Sequence, residues 1–170
     1  LETVKIPQPP LVEQQRIASL LSRADRLRRL RRYADSLANS LLQSVFLEMF
    51  GDVRSNSKNL DIVSIGDCVK PTKQINPLSL GRSEFWYVDI TSINRETKII
   101  SQPNLIKTDD APSRARKSIL SNDILVSSVR PNLNAVAKVP ASLDGQIAST
   151  GFCVLRVNEN KILSEYLFAF

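Results

Sequence analysis

From Leu11 to Phe50 the chain carries no Pro or Gly, and its apolar residues return every three or four positions. At about 100° per residue, Leu20, Ala24, Leu27, Leu30, Ala34, Leu37, Ala38, Leu41 and Val45 fall on one side of a helix, with Arg28, Arg29 and Arg32 opposite. The preceding Ile6-Pro7-Gln8-Pro9-Pro10 cannot be helical throughout, because proline fixes φ and removes a donor, but Pro10 suits a first helical turn. Glu13 complements the positive helix start, and Gly51 stands where a left-handed cap is wanted. About forty residues at 1.5 Å each give a rod of about 60 Å. Its apolar stripe has the spacing of a coiled-coil seam, so a covering helix is expected, from a second copy or from another part of a longer protein. Leu20, Leu27, Leu30, Leu37 and Leu41 are the candidate pairing residues.

Beyond Gly51-Asp52 the pattern changes. Val53 to Asn59 is polar and reads as a hinge. Thereafter short runs rich in Val, Ile and aromatics, separated by Pro, Asn, Gly and Ser, predict strands at Leu60–Ile65, Phe85–Ile90, Thr97–Ile100, Asp123–Ser128, Ala135–Val139 and Phe152–Val157. Leu163–Phe170 reads as the start of a helix. The expected fold is α+β: a long coiled-coil-type helix over 1–52, then a mixed α/β domain over 53–170 with a twisted, mostly antiparallel sheet.

Charge and composition narrow the chemistry. The chain has a formal net charge of +6 and a sequence pI of about 9.6, which suits a polyanionic partner. It has no histidine, so the commonest general base and zinc ligand are missing. No phosphate-cradling glycine motif occurs, and Asp89, Asp109, Asp110 and Asp123 are scattered singly, without spacing for metal or acid–base work. An independent enzyme is disfavoured. Cys68 and Cys153 lack metal-site spacing and read as buried thiols. Without a long apolar run or a leader pattern, a cytoplasmic protein without membrane contact is expected.

Three polar segments could carry recognition. Ala111-Pro112-Ser113-Arg114-Ala115-Arg116-Lys117 sets three cations and a hydroxyl beside a proline; guanidinium groups grip phosphate or read guanine edges. Ser127-Ser128-Val129-Arg130-Pro131-Asn132-Leu133-Asn134 adds an arginine and two amides with the geometry that reads adenine, although Asn and Pro also serve simply to set a turn. Gln146-Ile147-Ala148-Ser149-Thr150-Gly151 reads as a polar loop entering the last strand. Lys73 and Arg82 are weaker candidates. Phe85-Trp86-Tyr87 could stack on bases but reads as core, and Arg23, Arg26, Arg28, Arg29, Arg31 and Arg32 read as a solvated helix face.

Taken together, these segments resemble the DNA specificity subunit of type I restriction-modification systems. Ile6-Pro7-Gln8-Pro9-Pro10-Leu11-Val12-Glu13-Gln14-Gln15-Arg16-Ile17 is similar to the opening of that family's conserved spacer helix, and Leu42 to Asp52 to its close. Phe85 to Ile90, Ala111 to Arg116, Asp123 to Leu133 and Ser149 to Phe152 resemble its target-recognition domain. The resemblance implies double-stranded DNA recognition without catalysis, through Arg114, Arg116, Lys117, Arg130, Asn132 and Asn134, with Lys73, Arg82, Gln146, Ser149 and Thr150 in support. It also implies methyltransferase and restriction subunits as partners, which carry S-adenosylmethionine, ATP and magnesium, so that no cofactor is expected here. The family subunit holds two recognition domains and two spacer helices. One of each implies a half-length form or a fragment, its recognition domain short of a final helical part. The alternative is an assembly module that pairs through its helix and binds protein without reading DNA.

Overall fold

The computed structural model describes residues 6–52, 55–129 and 131–170; Val53 and Arg54 of the expected hinge and the nominated Arg130 lie outside them. The chain divides into two compact units, Leu1–Ile62 and Val63–Phe170.

In the first unit one helix, α1, runs from Leu11 to Phe50 over 40 residues. The extended segment before it turns back on the helix start: Gln14 Nε2 donates to the Pro9 carbonyl at 2.7 Å. At the other end the Gly51 amide donates to Leu47, and Gly51 adopts φ 68°, a backbone state that favours glycine. Exposed i,i+3 and i,i+4 pairs link Asp25 to Arg28 and Arg29. Leu20, Leu27, Leu30, Leu37 and Leu41 are all at least half exposed. The stripe is narrower than its leucines suggest: at 100° per residue Arg23 falls among them and Arg31 beside them, both exposed.

Among its described residues the second unit has ten short strands and two short helices, α2 (Ile65–Cys68) and α3 (Ser164–Ala169). One antiparallel sheet has β1 (Val69–Lys70), β10 (Phe152–Val157), β7 (Ile124–Ser127) and β8 (Val136–Lys138) in that order. A second has β5 (Asn104–Lys107), β2 (Glu84–Val88), β9 (Ile147–Ser149) and β6 (Ala115–Ser118). Its β2–β9 pair is parallel, whereas all other named pairs are antiparallel. β3 (Ile93–Asn94) and β4 (Ile99–Ile100) form a separate hairpin.

Strand alternation divides the apolar residues between two clusters. Val88 and Ala148 join Phe152, Val154, Leu125, Ala137, Ile119 and the hairpin residues Ile93 and Ile100 in the main core. Phe85, Tyr87 and Ile147 point to a smaller cluster with Ala115, covered by Ile75, Leu80, Ile106 and Ala111. Each fully buried Ile or Phe, such as Ile119 and Phe152, contributes about 1.5–3 kcal/mol by leaving water.

One ion pair is built into the core edge. Asp123, 2% exposed, accepts from Arg156 Nε at 3.0 Å and Nη2 at 2.8 Å and from the Leu120 amide at 2.8 Å. The Asp123 hydrogen bond raises the Arg156 pKa above its already high value, against the opposing effect of burial. This bidentate geometry satisfies a carboxylate that would be costly to bury alone.

Several expectations are corrected. Leu60–Ile65 forms no strand; the segment to Ser64 is irregular, and the Ser64 side chain caps α2 by accepting from Gly66. Two segments read as loops are strands, β6 and β9, although their polar residues hide the period. Cys153 is exposed on β10, while Cys68 is buried. Trp86, expected in the core, is 39% exposed because it alternates with the buried Phe85 and Tyr87. No helix among the described residues is long and apolar enough to cross a membrane.

Candidate nucleic-acid interface

The end of β9 is a junction. Ser149 still belongs to the second sheet, paired with Ala115, while Phe152 already belongs to the first, paired with Ser127. Only Thr150 and Gly151 lie between, so the chain changes sheets within two residues. Each makes a main-chain tie to a different arginine-bearing segment. The Thr150 amide donates to the Arg114 carbonyl at 2.8 Å, and the Gly151 carbonyl accepts from the Ser128 amide and Oγ, both at 2.9 Å. Adjacent Cα atoms are about 3.8 Å apart, so the two segments are mounted about one residue apart. Space at Gly151 is limited: a Cβ there would come within 3.3 Å of Ile90 Cδ1, which would have to give by a few tenths of an ångström, and within 3.5 Å of Val129 Cγ2, an ordinary contact.

Around this junction Ser113, Arg114, Ser128, Val129, Asn132, Asn134 and Thr150 are exposed. The first segment is a tight turn, closed by the Ala115 amide on the Pro112 carbonyl at 2.8 Å. Arg116 is the extra residue of a β-bulge between the Ala115–Ser149 and Lys117–Ala148 pairs. It is half-buried, and its guanidinium is engaged: Nη1 donates to Asn76 Oδ1 at 2.7 Å and Nε to the Ser113 carbonyl at 3.3 Å. Arg116 therefore braces the turn that presents Arg114. Lys117 is half-buried in β6, bridged to Gln74, and Lys73 is exposed beside that bridge.

The second segment leaves β7 at Ser127 and returns at Ala135, where the Ser127 amide donates to the Ala135 carbonyl at 3.0 Å. Ser127 Oγ donates to the Val129 carbonyl at 2.7 Å. Asn132 lies in a 3-10 turn, and Asn134 adopts φ 47°, the left-handed region that Asn tolerates best after Gly.

Other nominated residues are placed elsewhere. Ser149 is buried, and its hydroxyl accepts the Gly151 amide at 3.1 Å. Gln146 lies at the opposite end of β9, where its Oε1 accepts the Trp86 amide at 2.9 Å. Arg82 is also at that end, donating through Nη1 to the Gly145 carbonyl at 3.0 Å. Ser149 and Gln146 thus serve the scaffold, and Arg82 stands apart from the junction. Asp89 is equally committed, capping the Ile90–Ser92 turn through Thr91 and Ser92. Among the described residues no group of His, Cys, Asp and Glu is arranged to hold a metal.

The sequence reading missed two residues near the junction. Thr91 is exposed next to Ile90, whose side chain reaches the Gly151 Cα; the spacing Asp89-x-x-Ser92 is a capping signal that could have placed this turn. Lys98 reaches the second segment across 36 positions, donating its ammonium to the Asn134 carbonyl at 2.6 Å. Nothing local in the sequence announces that contact.

The strand scaffold thus presents two polar loops side by side. Comparison with known proteins gives it a family context. No family model matches the chain. Over 59 residues it is 41% identical to the type I restriction enzyme HindI specificity subunit of Haemophilus influenzae, a stretch that is 35% of this chain and 13% of that protein. The fold matches the crystal structure of the HsdS subunit from Thermoanaerobacter tengcongensis with a TM-score of 0.60 at 43% identity, over 62% of this chain and 27% of that one. It matches equally a chain from a structure addressing complex assembly and conformational transition of the type I R-M system, again at 0.60 and 43%. These likenesses place the matched part of the chain with the specificity subunits of type I restriction-modification systems. The chain spans well under a third of the length of either named relative.

Proposed function

We propose that the chain reads the sequence of duplex DNA as a non-catalytic specificity component of a type I restriction-modification complex, directing methyltransferase and restriction subunits to a target. The convergence of the Arg114 turn and the Ser128–Asn134 loop on Thr150-Gly151 carries this reading, because two short loops mounted about one residue apart can address neighbouring base pairs. Arg114 has the fork geometry for guanine or phosphate; Asn132 and Asn134 have the amide pair for adenine. Arg130, within the same loop, joins them by its chemistry. Lys73 and Lys117 supply sequence-independent attraction to phosphate. S-adenosylmethionine, ATP and magnesium belong to the partner subunits, and the complex works in the cytoplasm.

Expression with the partner methyltransferase, followed by mapping of methylated sites, tests the reading directly. A defined site that changes with substitutions at Arg114 or Arg130 is the expected result. Methylation that proceeds without any preference among targets would instead favour a pure assembly role, which the exposed leucines of α1 support.

A further inference from the structure

We infer that Lys98 is a specificity-determining positioning residue: it holds the Asn132–Asn134 loop in its reading conformation without itself touching DNA. This rests on the DNA-reading function proposed above. The hairpin that carries Lys98 is firmly anchored. Ile93 and Ile100 sit in the main core, and the Ser101 amide donates to the Ser92 carbonyl at 2.9 Å. Its turn is fixed by Asn94, whose Oδ1 accepts the Glu96 and Thr97 amides at 3.0 and 3.1 Å while its carbonyl accepts the Lys98 amide at 2.8 Å. Lys98 adopts φ 57° there, a backbone state uncommon for any residue but Gly, Asn and Asp.

From this mount the half-buried side chain delivers its ammonium to the Asn134 carbonyl. That oxygen also accepts the Val136 amide at 3.1 Å, so both its lone pairs are used. A charge-assisted bond of 2.6 Å is among the stronger kinds of tie, and here it fixes a peptide whose residue is itself left-handed, at φ 47°. The nominated amides Asn132 and Asn134 lie in this loop, so its conformation sets where they present their donors and acceptors. An ammonium held on a carbonyl is a brace rather than a free phosphate ligand, although its position beside the interface invites the latter reading.

The test compares Lys98→Met, which keeps the stem and removes the donor, with Lys98→Arg, which keeps a donor, each in the full chain assembled with its methyltransferase. A randomised duplex pool is methylated and sequenced, and binding to the selected target is titrated against salt. K98M is expected to melt like the parent, to lose roughly tenfold in discrimination at one or two base positions, and to keep the parent's slope of log affinity against log salt; K98R restores discrimination. A slope shallower by about 0.9 with base preference intact would make Lys98 a phosphate contact and overturn the inference. Unchanged discrimination in K98M overturns it as well. If the parent assembly itself selects no target, the DNA-reading function fails first, and the role of Lys98 falls with it.

Discussion

The carbonyl of Arg114 accepts the amide of Thr150 at 2.8 Å, tying a cationic turn to the strand end that also holds Ser128. The tie is made by main chain, so replacing the Arg114 side chain should leave the turn in place and remove only what the guanidinium does. Arg114→Ala is expected to cost about 1–3 kcal/mol in target affinity and to relax preference at one base position. A uniform loss across all duplexes, with a shallower salt slope, would assign Arg114 to phosphate. Competition binding against singly substituted duplexes separates the outcomes.

Arg116→Ala removes both the Asn76 and Ser113 contacts. Hydrogen exchange should then rise at the Ala115 and Thr150 amides, which close and tie the turn, while the amides of β10 keep their protection. Unchanged exchange in the turn would show that the bulge alone shapes it.

Breaking the Asp123–Arg156 pair should be more expensive than any surface change. Arg156→Ala leaves a carboxylate 2% exposed without its main counter-charge and is expected to destabilise the second unit by about 3–5 kcal/mol, read by urea denaturation. A loss below 1 kcal/mol would mean that the Leu120 amide alone suffices for Asp123.

Acid should loosen α3 selectively. Hydrogen bonding to Lys138 is the largest cause holding the Glu165 carboxyl down to about 2 from an ordinary 4.5. A carboxylate depressed in the folded state stabilises it above the ordinary value, and that contribution is lost as the pH falls from 4.5 toward 2. Glu165 is fully exposed, so the effect is local and weakened by solvent and salt. In Glu165→Gln the pH dependence of the α3 protection factors, exchange rates taken relative to the intrinsic rate at each pH, should disappear over that window; its persistence would place the titrating group elsewhere.

The leucines of α1 predict association. With Leu20, Leu27, Leu30, Leu37 and Leu41 half exposed or more, the full chain should self-associate as its concentration rises, and Leu30→Asp with Leu37→Asp should abolish that, read by light scattering. A monodisperse monomer at high concentration in the parent would remove the pairing role.

The helix was legible because its signals are local and agree: Pro10 at the entry, Gly51 at the exit, and no breaker between. β7, β8 and β10 were legible as apolar runs. β6 was not, because Ala-Arg-Lys-Ser acquires strand geometry only by pairing with β9 on one side and the 74–75 segment on the other. Leu60–Ile65 shows the converse, with the composition of a strand and no neighbour to pair with. At the candidate site the sequence nominated both loops but could not show that Thr150 and Gly151 join them. Nor could it show that Gln146, Ser149 and Arg116 spend their polar atoms on the protein itself.

The mount at Thr150-Gly151 relies mainly on peptide groups, which are the same in every residue but proline. Side chains at positions 113, 114 and 132 can therefore be exchanged without rebuilding what carries them. Such an arrangement lets a new target preference emerge by substitution at the tips alone, with the stability of the sheets left out of the trade.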